Sequence, residues 1–126
     1  MKNIFFNASL PRSGGTLLQN VLAQNNAMYV SSASMMLDFI SAAKDKFVHM
    51  MQYVHPDEAS VTKEAFLKFC RVGIPAYRDV FTDKDYYLDK HFAWMHYYSF
   101  LEHVFTDEKP KIIVMVRDLR DIVCSF

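Results

Sequence analysis

The residues with the clearest chemical potential lie in Pro11-Arg12-Ser13-Gly14-Gly15-Thr16-Leu17-Leu18. Adjacent glycines let the backbone approach an anion closely, and a helix starting there offers unpaired N–H groups and the positive end of its dipole. Arg12 adds a fixed charge, and Ser13 and Thr16 add hydroxyls. The stretch reads as a phosphate-cradling turn, yet it lacks the lysine of a Walker A motif, G-x-x-x-x-G-K-[ST]. A second group, Arg117 and Ser125, brackets Arg120-Asp121 near the C-terminal end. A third is Asp89-Lys90-His91, where Lys90 supplies a cation and His91 is a candidate general base because imidazoles titrate near neutrality.

Positioning such groups requires strands that end at them. Ile4 to Asn7 is short and apolar, as expected of a strand buried on both faces of a parallel sheet. Leu17, Leu18, Val21 and Leu22 then recur at helical spacing, with Ser13 as the expected N-cap and Asn25-Asn26 as the stop. Met28 to Ser31 reads as a second strand. From Met36 to Val54 one apolar helical face is maintained until His55-Pro56 breaks it. The next helical pattern reaches Val80-Phe81, and Gly73-Ile74-Pro75 should kink or split it. Tyr86 to Leu88 reads as a strand with the charged Asp89-Lys90-His91 at its carboxyl end, where open α/β sheets place ligands. Trp94, Tyr97, Tyr98, Leu101 and Phe105 form a helical stripe, and Ile112 to Val116 is the clearest buried strand. Asp118 or Asp121 should begin a last helix. The pattern predicts a single α/β domain over residues 1–126: three layers around a central parallel sheet, with a P-loop-like entry.

Fourteen basic and fourteen acidic side chains cancel among the 126 residues. That balance argues against a general nucleic-acid surface. No run approaches the roughly 18 apolar residues of a membrane-spanning helix. Cys70 and Cys124 form no C-x-x-C pair and read as free thiols of a cytoplasmic protein, and the five histidines lack metal-ligand spacing. Most of the methionines and the aromatic stripe are expected in the core.

With both ends read, Pro11 to Leu18 resembles the loop that binds the 5′-phosphosulfate in sulfotransferases using 3′-phosphoadenosine 5′-phosphosulfate (PAPS). Arg117 and Ser125 resemble the pair with which that family holds the 3′-phosphate. Asp89-Lys90-His91 is a looser match to the strand end where many members carry a lysine near the transferring group; here His91-Phe92 follows where a small residue and proline are common. Gly15 stands where threonine is commoner. The resemblance implies a metal-free sulfuryl transfer from PAPS to a hydroxyl or amine acceptor. Arg12, Ser13, Gly14, Gly15, Thr16, Leu17, Arg117 and Ser125 would hold the cofactor, and Arg12, Lys90 and His91 would act in catalysis. A metal-free mechanism accounts for the missing Walker lysine.

Two other functions fit parts of the pattern. A P-loop small-molecule kinase could use Asp89 to hold magnesium, and a sulfotransferase-like fragment could serve as a non-catalytic interaction module. The last helix pattern stops soon after Asp118, which is the pattern of a domain truncated at its C-terminus. The expected consequences are an exposed sheet side, an incomplete cofactor pocket, and self-association or a missing C-terminal segment. The acceptor's class is not legible in the sequence, because loops and helices that vary within a fold select it.

Overall fold

The computed structural model describes residues 3–32 and 34–126. Four strands, β1 (Ile4–Asn7), β2 (Met28–Val30), β3 (Tyr86–Lys90) and β4 (Lys111–Ile113), form one parallel sheet in the order β2-β3-β1-β4. Parallel neighbours require long crossovers. The helices are α1 (Gly15–Leu22), α2 (Met36–Met51), α3 (Ala59–Phe81), α4 (Tyr98–Val104) and α5 (Leu119–Cys124), with 3-10 turns at Pro56–Glu58 and Phe92–Tyr97. From β1 the chain moves outward past β3 to β2, returns to β3, and then crosses β1 to reach β4. The connections leaving β1 and β3 therefore run in opposite directions, and the crevice between their carboxyl ends is the switch point where such sheets bind ligands. Asn7 and Lys90, paired in register, mark its floor.

One face of the sheet carries Ile4, Phe6 and Tyr87, packed against Met36, Leu37 and Ile40 of α2, Leu67, Cys70 and Ile74 of α3, and Trp94, Leu101 and Val104. Trp94 is wholly buried, its ring 4.4 Å from that of Phe6. Leu88, buried but pointing the other way along β3, lies outside this cluster. The right-handed crossover rule puts α1 on that second face, and Gln19 ties α1 to the sheet by donating from Nε2 to the Ser31 carbonyl at 2.6 Å.

Several local expectations change. Ser13 does not cap α1: Gly14 occupies the cap position in the left-handed region (φ 100°), and the Ser13 hydroxyl donates back to the Leu10 carbonyl at 2.6 Å. The Gly73-Ile74-Pro75 step does not split α3, which runs through Pro75 with Ile74 before it buried in the core and Tyr77 after it packed against the core. The segment after His91 begins as a 3-10 turn and becomes α-helical only at Tyr98. The strand expected over Ile112–Val116 is limited to Lys111–Ile113, because its pairing with β1 runs out at Asn7 opposite Ile113, where β1 ends, and Val116 is 91 % exposed. Met36 enters the core, whereas Met35 and Met50 face solvent.

Candidate functional site

The turn after β1 is built from unusual backbone. Arg12 has φ 66° and Gly14 φ 100°, both left-handed; this conformation is uncommon for a residue with a Cβ and easy for glycine. The Leu10 carbonyl accepts from both the N–H and the hydroxyl of Ser13, closing the turn. The chain enters α1 at Gly15 without a side-chain cap, and the first N–H groups of a helix have no intrahelical acceptor.

Beneath this turn lies a buried polar support. Asn7 Oδ1 accepts from the N–H of Ser9 at 3.0 Å and from its hydroxyl at 2.5 Å, while Ser9 Oγ accepts from the Met115 N–H at 3.0 Å. Among the described residues the buried Asn7 Nδ2 donor has no hydrogen-bond partner. A Cβ at Gly15 would sit 2.9 Å from the Ser9 Cβ and 3.8 Å from Asn7 Nδ2. The glycine thus lets the first turn of α1 rest directly on this support.

Parts far apart in the sequence meet at the turn. Arg12 Nε donates to Ser125 Oγ at 3.4 Å, and Arg117 donates to the Arg12 carbonyl at 3.0 Å. Arg12, Gly14, Gly15, Thr16 and Arg117 line a hollow of about 250 Å³. On the other side, Lys90 Nζ donates to Thr16 Oγ1 at 3.3 Å. None of Arg12, Lys90 and Arg117 is ion-paired with a carboxylate among the described residues, so three cations surround one turn uncompensated. All the predicted site groups except Leu17, which is 68 % exposed on α1, and His91 are joined to the turn by these contacts or form it.

His91 lines a larger cavity of about 650 Å³ that also includes Arg12, Thr16, Lys90, Asp38 and Phe92. Its Nδ1 accepts from the Ala93 N–H at 3.2 Å, capping the 3-10 turn. In the neutral ring this leaves the proton on Nε2, so His91 is a donor there, and taking up a proton at Nδ1 requires losing the Ala93 bond. Asp89 precedes Lys90 on β3 and is wholly buried. Its oxygens accept from Trp94 Nε1 at 2.8 Å and the Tyr87 hydroxyl at 3.1 Å. Burial pushes its carboxyl above the ordinary aspartate range, opposed by hydrogen bonding from Ser34, then from Trp94 and Tyr87. Burial, and next the charge of Asp89, likewise raise the Tyr87 hydroxyl.

Asn7, Ser9 and Asp38 had no motif to announce them. Only the polar Asn7 and Ser9 at the end of an apolar strand signalled that something there needed hydrogen bonds.

A family model described as the sulfotransferase family matches residues 5–126. The chain belongs to the sulfotransferase family. The match runs from β1 through α5 and so takes in both halves of the assembled turn. A search of curated proteins gave no match. As a sulfotransferase domain, the chain has the α/β character expected of it, with the turn, Lys90 and the Arg117–Ser125 segment gathered at the carboxyl end of one parallel sheet.

Proposed function

We propose that this sulfotransferase takes the sulfuryl group from PAPS and passes it to a hydroxyl or amine acceptor. One observation carries the proposal: Arg12, Arg117 and Ser125 converge, although Arg12 is 113 positions from Ser125 and 105 from Arg117. A donor with two separated phosphates requires two such basic groups on one rim. The residues fit it by their chemistry, with a helix start at Gly15 lacking a side-chain cap and, among the described residues, Asn7 Nδ2 beneath it without a hydrogen-bond partner and three cations around it without a carboxylate partner.

PAPS supplies an activated sulfuryl group on a phosphate leaving group. Arg12, Ser13, Thr16 and the N–H groups of Gly14, Gly15 and Leu17 would hold the 5′ end and stabilise charge developing on the leaving oxygens. Arg117 and Ser125 would hold the 3′-phosphate. Lys90, already on Thr16, would face the sulfuryl oxygens. His91 would orient the acceptor through its Nε2 proton, or act as base on releasing Ala93. Two free thiols accord with a reducing compartment such as the cytoplasm.

Calorimetric binding of 3′-phosphoadenosine 5′-phosphate (PAP) against adenosine 5′-monophosphate tests this, since the two differ only in the 3′-phosphate. PAP should bind tighter by about tenfold or more, as charge-assisted contacts of this kind give, and Arg117→Ala should erase the difference. Equal or absent affinity would remove the assignment. The kinase alternative gains no support from Asp89, whose two oxygens are enclosed and bonded to Trp94 and Tyr87 rather than offered to a cation.

A further inference from the structure

The larger cavity has two unlike walls. One is the turn with Arg12 and Thr16, joined by Lys90. The other carries Met35, Asp38, His91 and Phe92, with Ser32 and Ser34 beside them. Leu10, Met35 and Phe92 are each about half exposed, at 48 %, 57 % and 56 %. His91 and Phe92 stack with centroids 4.9 Å apart and planes 22° from parallel, giving a flat double ring at the cavity edge. Asp38 is the only carboxylate on the lining, is exposed, and has no basic partner among the described residues. Away from the turn and Lys90 the cavity presents no further lysine or arginine among the described residues.

We infer that this wall takes an acceptor whose hydroxyl is carried on an apolar, aromatic body without negative charge, and that Asp38 favours acceptors bearing an ammonium group. The inference rests on the donor proposal, which commits Arg12 and Lys90 to the donor's own anionic groups. With those cations engaged, an anionic glycan would meet Asp38 and three apolar side chains and find no counter-charge. A phenol gains instead: its ring covers Phe92 and Met35, removing apolar surface from water. An ammonium placed toward Asp38 adds a screened attraction.

The experiment is acceptor binding to the full chain saturated with PAP, measured by calorimetry at low and high salt. The probes share one phenolic body: tyramine, 4-ethylphenol and 3-(4-hydroxyphenyl)propionate, with a chondroitin oligosaccharide as the anionic glycan. Tyramine should bind tightest, about threefold to fivefold above 4-ethylphenol at low salt, with the propionate and the glycan weakest. Asp38→Asn should reduce tyramine to the level of 4-ethylphenol and leave 4-ethylphenol unchanged; Phe92→Ser should weaken every phenol alike. If PAP binds and the glycan or the propionate is preferred, or no phenol binds, the acceptor assignment is wrong and the donor proposal stands. If PAP itself does not bind, the donor proposal fails and the acceptor assignment with it.

Discussion

Asp89 shows how a single residue can set a pH dependence while lying out of solvent. Its carboxyl is raised by burial, so the folded state holds the proton more tightly than the unfolded chain does. The stabilising contribution is complete below the ordinary aspartate value of 3.8 and is lost as pH rises through the higher folded value. Asp89→Asn keeps an acceptor for Trp94 and removes the titration. Urea denaturation of this variant should therefore show a weaker loss of stability than wild type on going from acid toward neutral pH; parallel curves would mean Asp89 does not titrate differently on folding. The two cysteines separate in the same way by environment. Cys70 is buried, which pushes its thiol up, whereas Cys124 is exposed on α5. Under native conditions a maleimide should modify one thiol rapidly, Cys124, and reach Cys70 only in denaturant. Two fast equivalents in peptide mapping would contradict the packing of α3.

At the scale of elements, one substitution made in two helices should act with opposite sign. In α1, alanine at Gly15 drives a Cβ to 2.9 Å from that of Ser9, a side chain held by Asn7 and Met115. In α3, alanine at Gly73 meets nothing within 4 Å. Gly15→Ala should cost about 1–3 kcal/mol through overpacking, and Gly73→Ala should gain about 0.5–1 kcal/mol from helix propensity. Thermal unfolding checks both, and a stabilised Gly15→Ala would mean the turn does not rest on Ser9. The contrast also marks what was legible in the sequence. β1 and β3 were readable because a strand buried in a parallel sheet is a short apolar run, and the glycine pair located the turn. β4 is shorter than the apolar run Ile112–Val116 suggests, because its pairing stops where β1 stops, at Asn7 opposite Ile113. Ser13 looked like a cap by residue type, but the left-handed Gly14 put its hydroxyl on Leu10. The Ser9–Met115 bond spans 106 positions, which no local pattern encodes.

Across the whole molecule, stability should be unevenly distributed. β1 is paired on both edges, and its Ile4 and Phe6 sit in the main core; β4 is an edge strand, and α5 buries only Ile122. Local opening should therefore be easiest from β4 through α5. Arg12 to Ser125 and Arg117 to the Arg12 carbonyl at the surface, with the Met115 N–H on Ser9 beneath, tie that region to the turn. A nucleotide held by both would couple the least stable segment to one of the best anchored. Hydrogen exchange should accordingly be slowest in β1 and β3 and fastest over 114–126 in the free chain. With saturating PAP, exchange across 117–125 should slow by about tenfold or more, as expected when a ligand binds only the closed form, and the α1 start should gain protection as well. The α2–α3 pair, which supplies neither half of the turn, should be unchanged. Protection at residues 12–18 without any at 117–125 would mean that the nucleotide is held by the turn alone, and Arg117 and Ser125 would lose their assignment to the 3′-phosphate.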